Sequence, residues 1–145
     1  MQSFVYPVTL TPDKKDGGFV VRFIDFPEAI TQGEDVENAL FEASDCLEEA
    51  VANRIMIKLP IPNPSVLKKG QYTVALSAQM VAKAALYLAM QESDLTPVEL
   101  ARQLNCDEKE VSRLINPRRS SELSRIEAAL SMVGKHLIVG VQTAA

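Results

Sequence analysis

Phe4, Tyr6, Val8 and Leu10 occupy every second position of SFVYPVTLT, the period of a strand with one buried face. Pro7 interrupts that run without an N–H to donate, which predicts an edge strand or a locally unpaired position. TPDKKDGG reads as a turn. FVVRFID follows with Phe19, Val21 and Phe23 on one side and Arg22 on the other, so the two runs predict an antiparallel hairpin. After the DFPE bend come a short third strand candidate, AITQ, and Gly33. The period then changes. Val36, Ala39, Leu40, Ala43, Leu47, Ala50 and Val51 recur at three- and four-residue spacing, with Glu37, Glu42, Asp45, Glu48 and Glu49 largely on other faces. An acidic start suits the helix dipole. Pro60, Pro62 and Pro64 predict extended chain, and QYTVAL predicts a fourth strand rejoining the sheet. Residues 1–76 thus read as β-β-β-α-β, one helix across one sheet face.

Beyond a boundary near Ser77 the pattern is helical. Ser77 is placed to cap a helix carrying Val81, Ala82, Ala85, Leu86 and Ala89. Two shorter helices, a basic connection and a further helix follow. In that last helix Ser124 and Glu127 suggest a capping box and Gly134 a stop. LIVGV, residues 137–141, reads as a short terminal strand. Such a strand needs cover, either from its twin across a two-fold axis or by folding back on its own domain. The fold class expected is α+β, with residues 1–76 and 77–145 as two domains.

The segment TPVELARQLNCDEKEVSRLIN has the features of a helix-turn-helix. Thr96 and Glu99 make a capping pattern, and Pro97 falls where a first-turn proline is tolerated. Leu100 and Leu104 supply a buried stripe, and Ala101 leaves space for a close crossing. Asn105 suits a turn that needs positive φ, and Cys106 plugs the core. Asp107 and Glu110 repeat the capping logic, while Val111 and Leu114 bury the second helix. Its outward face keeps Glu108, Lys109, Ser112, Arg113 and Asn116, and NPRRSS adds Arg118 and Arg119. Lys109, Ser112, Arg113 and Asn116 suit base edges or phosphates in a major groove, and Arg118 and Arg119 suit phosphates. Double-stranded operator DNA is therefore an expected partner. Asp107, Glu108 and Glu110 make the leading end acidic, which predicts modest affinity per copy and binding as a dimer.

Charge divides the chain. Residues 1–70 carry 7 Lys and Arg against 11 Asp and Glu, whereas residues 71–145 carry 8 of each. An acidic front half repels phosphate and suits a basic protein partner. The chain has 145 residues, 47% of them hydrophobic and 23% charged, an ordinary globular composition. No run is long enough to span a bilayer, and MQSFVYPVTL lacks a basic region followed by a long apolar core, so no export signal is expected. Cys46 and Cys106 make no disulfide framework or metal-ligand spacing, and His136 has no catalytic neighbour in sequence. No metal or cofactor is expected, and the cytoplasm is the expected location.

YPVTLTPDKKDGGFVVRFIDFPEAITQGEDVENALFEASDCLEEAV, followed by LPIPNPS, resembles the HicB-type antitoxins over most of residues 6–66. A Pro-Val pair, a Gly-rich turn, FIDFPEAITQGE, an Ala-rich acidic helix and alternating prolines carry the resemblance, and the later segment matches the subtype with a helix-turn-helix. The resemblance implies a partial RNase-H-like front domain that masks a HicA-type toxin, a small mRNA-cleaving protein, and a rear domain that represses the shared operon. Asp25, Phe26, Pro27 and Glu28 in the bend, with Gln32 and Glu34 beyond it, are the candidate toxin contacts. A dimer or a higher even-numbered oligomer is expected, because halves of about 70 residues have limited core to bury.

RNase-H-type catalysis needs several carboxylates converging on divalent metal. Asp25 ends the second strand candidate, but SFVYPVTLT contains no acid, so no catalytic residue and no enzymatic activity are expected. A competing reading makes the front domain a small-ligand sensor governing an ordinary repressor. A neighbouring reading frame for a small basic protein separates the two.

Overall fold

The computed structural model describes residues 1–143; Ala144 and Ala145, the end of the rear segment 77–145, lie outside the described residues. The chain divides into two compact units, Met1–Ser77 and the residues from Ala78 onward.

The front unit contains strands β1 (Val5–Pro12), β2 (Phe19–Arg22) and β3 (Ile30–Gly33), helix α1 (Val36–Met56) and strand β4 (Tyr72–Ala75). The sheet is antiparallel, ordered β3-β2-β1-β4. β1 is therefore interior, yet each half of it has a single neighbour. Val5–Val8 pair with β4, and Thr9–Pro12 pair with β2. The Leu76 N–H donates to the Phe4 carbonyl. Antiparallel alternation then turns the backbone of Phe4, Tyr6 and Val8 toward β4 and the Pro7 nitrogen away from it. Pro7 thus sits where no ladder bond is asked of it, the locally unpaired alternative in an interior strand.

Phe4, Tyr6, Val8, Val21 and Phe23 are buried, while Leu10 is half-buried. α1 covers the sheet with Ala39, Ala43, Leu47, Ala50, Val51 and Ile55. Small residues bring the helix close to β3. A Cβ at Gly33 would overlap the backbone of Ala39. The start of α1 is fixed reciprocally. Asp35 accepts the Asn38 N–H at 2.8 Å, and the Asn38 Oδ1 accepts the Glu34 N–H at 2.9 Å.

Among its described residues the rear unit has four helices, α2 (Ala78–Glu92), α3 (Pro97–Leu104), α4 (Glu108–Ile115) and α5 (Leu123–Met132). Ala82, Leu86, Met90, Leu100, Ala101, Val111, Leu114, Ile126, Ala129 and Leu130 form its core, with Cys106 and Leu137 packed against it. Thr96 caps α3 by accepting the Glu99 N–H at 3.2 Å, and Asp107 caps α4 by accepting the Glu110 N–H at 2.8 Å. Asn105, at φ 54° and ψ 46°, makes the left-handed turn between them. Gly134, at φ 76°, lies just beyond α5.

Two local expectations need correction. α5 starts at Leu123, so Ser124 lies inside the helix and makes no cap, and Glu122 at the N-cap position gives no side-chain bond. Residues 137–141 form no strand. The rear unit has no strand among its described residues for them to pair with. Leu137 instead packs on the helical core, while Ile138, Val139 and Val141 stay exposed.

Candidate functional site

On the rear unit, α4 turns Val111 and Leu114 into the core and keeps Glu108, Lys109, Ser112 and Arg113 exposed. Lys109, Ser112, Arg113, Asn116 and Arg119 line one depression of about 270 Å³. Arg118 is exposed one residue before Arg119 but outside that lining. The Asn116 Oδ1 accepts the Arg118 N–H at 2.9 Å, so this side chain shapes the turn that carries the two arginines. The acidity at the leading end of α4 is largely absorbed. Asp107 is committed to the cap, and Glu110 pairs with Arg125 of α5.

Beneath this surface lies a residue that sequence reasoning passed over. Lys83 of α2 is 1% exposed. Its Nζ donates to the carbonyls of Arg113 (2.9 Å), Leu114 (3.2 Å) and Asn116 (2.8 Å), and to the Ser121 Oγ (3.1 Å). The three carbonyls lie at the C-terminal end of α4 and its cap, where a cation is favoured. Burial pushes the Lys83 pKa down to about 8. One turn earlier on α2, the Gln79 Nε2 donates to the Ser121 carbonyl at 2.9 Å, and its Oε1 accepts the Ser121 N–H at 2.8 Å. The available signal was a lone lysine, four residues after a glutamine, inside the apolar run AQMVAKAALYLAM.

On the front unit, the bend is tied to the proline run. Arg54, near the end of α1, holds Glu28 through Nε at 2.7 Å and NH2 at 2.8 Å, and donates from NH1 to the Pro60 carbonyl at 3.0 Å. Its guanidinium stacks 4.7 Å from the centre of the Phe26 ring. That ring meets Tyr6 edge-on at 4.9 Å, and the Tyr6 hydroxyl donates to the Pro62 carbonyl at 2.7 Å. Asp25 accepts from the N–H of Ser65 at 2.9 Å and from its hydroxyl. The Arg54 hydrogen bonds hold the Glu28 carboxyl below the usual range, and burial pushes the Tyr6 phenol up to about 12.

This geometry sorts the six front candidates. Phe26 is 0% exposed, a correction: its ring is a core side chain between Tyr6 and Arg54 and offers no surface to a partner. Asp25 and Glu28 present carboxylates already engaged inside the unit, and Pro27 is exposed. Gln32 and Glu34 are exposed and line a depression of about 460 Å³ with Asp16, Asn38 and Glu42. Glu42 also lines a second groove, of about 510 Å³, with Glu28, Ile30, Asp45, Cys46 and Glu49. β3, which contributes Ile30 and Thr31 to this groove, is an edge strand. Glu42, Asp45 and Glu49, placed by their spacing off the apolar face of α1, therefore border a groove. Burial, with a smaller contribution from Glu28, raises the Cys46 thiol pKa there.

Among the described residues no group of three or more His, Cys, Asp and Glu side chains is placed to hold a metal ion. No helix there is long and apolar enough to cross a membrane.

Comparison with known proteins bears on both units. The family model described as HicB_like antitoxin of bacterial toxin-antitoxin system matches residues 5–85. The chain is 36% identical over 132 residues to "Antitoxin HicB" of Escherichia coli (strain K12), covering 91% of this chain and 95% of that one. It is 34% identical over 139 residues to "Antitoxin HicB 1" of Photorhabdus laumondii, covering 94% and 86%. A more distant relative, "Antitoxin HicB" of Pseudomonas fluorescens, is 26% identical over 143 residues, covering 98% of each. With these relatives matched along nearly their whole length, this chain belongs to the HicB-like family of bacterial antitoxins.

Proposed function

We propose that this antitoxin neutralises a HicA-type mRNA-cleaving toxin with its front unit and represses its own operon with its rear unit. The observation that carries this reading is the segregation of charge into two kinds of surface. Lys109, Arg113 and Arg119 converge with Ser112 and Asn116 beside Arg118, whereas Glu28, Glu34, Glu42, Asp45 and Glu49 border the depressions around β3 and α1. An RNA-directed toxin needs a basic surface, and a carboxylate-lined groove beside an edge strand is complementary to it. The front unit is a partial RNase-H-like domain that has lost catalysis: Asp25 is bonded to Ser65, and β1 carries no acid.

In the rear unit α3 and α4 act as a helix-turn-helix. α4 enters the major groove, Arg113, Lys109, Ser112 and Asn116 face bases and phosphates, and Arg118 and Arg119 neutralise phosphates. The modest cationic face of one copy supports binding as a homodimer or higher even-numbered assembly in the cytoplasm, on half-sites about 34–36 Å apart or a multiple of that. The exposed residues 138–141 are available for pairing between copies.

The test is co-expression with the adjacent reading frame, followed by mass measurement and titration of the upstream duplex. Copurification of a small basic protein and binding of that duplex are expected. Absence of any companion, with DNA binding intact, would favour a repressor that has no toxin.

A further inference from the structure

We infer that Gln79 and Lys83 of α2 form a clamp that positions the basic turn of residues 116–121 for duplex DNA. This rests on the DNA-binding role proposed for that turn. Gln79 and Lys83 are one helical turn apart and point to one face. Lys83 gathers the carbonyls of Arg113, Leu114 and Asn116, which fixes the end of α4 where the turn begins. Gln79 engages both backbone groups of Ser121, and Lys83 reaches the Ser121 hydroxyl, which fixes the point where the turn ends. The segment between these two anchor points carries Arg118 and Arg119, and Asn116 accepts the Arg118 N–H within it.

The chemistry matches the task. A lysine ammonium has three N–H donors and no acceptor, so it can serve several carbonyls converging from one side. Methionine or leucine would fill the same space without the desolvation that lowers the Lys83 pKa. What the charged side chain adds is directional: it dictates where the last carbonyls of α4 lie, and with them the exit path of the chain. Phosphate contacts set the register of a protein on its duplex. A turn whose two ends are bonded to an underlying helix presents its arginines at fixed spacing, with less ordering left to do on binding. Lys83 and Gln79 touch no DNA themselves; they act through the backbone that carries Arg113, Arg118 and Arg119.

The experiment uses the full-length chain and a duplex carrying the sequence immediately upstream of its own coding region. Affinity is measured at a temperature where circular dichroism shows each protein fully folded. Arg113→Ala/Arg118→Ala/Arg119→Ala serves as the control for the DNA-binding role. Lys83→Met is expected to weaken duplex affinity about tenfold while folded, the scale of losing phosphate contacts from register. Amide exchange at Arg119 and Ser121 should accelerate in parallel. A merely structural lysine would lower the melting temperature and leave the affinity of the folded protein unchanged. If Lys83→Met folds and binds within about twofold of wild type, on the same phosphate-contact scale, the clamp is overturned. Should that variant not fold, Gln79→Ala decides: an affinity loss supports the clamp, and wild-type affinity overturns it. Wild-type protein that ignores the duplex, or an arginine variant that binds it normally, would bring down the proposed DNA-binding role and the clamp with it. Normal wild-type binding beside an unaffected clamp variant would bring down the clamp alone.

Discussion

Replacing Arg54 with alanine should loosen the front unit at the bend that joins β2 to β3. The side chain makes three kinds of interaction there. Its paired bonds to Glu28 form a bidentate ion pair whose carboxylate side is 44% exposed, so solvent screening limits it to about 0.5–1 kcal/mol. The bond to the Pro60 carbonyl contributes about 1 kcal/mol, and stacking over Phe26 about another 0.5–1 kcal/mol. Together Arg54→Ala should cost the front unit about 2–3 kcal/mol, a fall of about 2 M in urea midpoint for a unit this small. The amide resonances of Tyr6 and Val8 in β1, followed through a urea titration, report this unit separately from the helical one. Arg54→Lys keeps the charge but lacks the planar fork, and should lose at least half as much. A loss below about 0.5 kcal/mol for Arg54→Ala, or an unaffected Arg54→Lys, would refute the claim that the guanidinium's geometry ties the bend to the proline run.

Gly33→Ala should destabilise the front unit by about 1–3 kcal/mol, because the added Cβ would overlap the Ala39 backbone; an unchanged urea midpoint would mean that β3 and α1 can separate freely. Asn105→Ala, forced to φ 54°, should cost the rear unit about 1 kcal/mol, whereas Asn105→Gly should be neutral or slightly stabilising. Calorimetry of the two variants checks the order. The folded-state pKa of Glu28 is depressed by Arg54, so the stability it adds is fully present above pH 4.5, its ordinary value, and is lost as pH falls through the folded pKa. Wild type and Glu28→Gln should therefore differ near neutral pH and converge in acid; a gap that persists in acid would remove the ion pair as its cause.

What could be read in the sequence was local. The alternation of Phe4, Tyr6 and Val8, the change of period at Val36, the caps at Thr96 and Asp107 and the left-handed Asn105 depend on neighbours within a few residues, and each stands in the structure as its spacing predicts. Features set by distant partners were hidden. Phe26 stands beside Pro27 in a bend and looks exposed until Tyr6 and Arg54 close over it. Arg54 and Glu28 are 26 residues apart, and nothing nearby in sequence marks them as a pair. LIVGV has strand composition, but composition supplies no neighbour. Lys83 sits in a helix whose periodicity marks its apolar residues as core, so one charge there looks like a solvated spoke. Only the position of the α4 carbonyls reveals its role. The exposed α4 residues were legible as a set because helical geometry alone places them on one face, whereas the groove beside β3 arises from sheet order and helix packing.

The most direct measurement is a paired capture assay, with the purified toxin and the upstream duplex as separate baits for two charge variants of the full chain. Glu42→Gln/Asp45→Asn/Glu49→Gln should fail to retain the toxin yet hold the duplex, and Arg113→Ala/Arg118→Ala/Arg119→Ala should do the reverse. If both variants retain both baits, or either one loses both while remaining folded, the two partners are not held by separate surfaces of opposite charge.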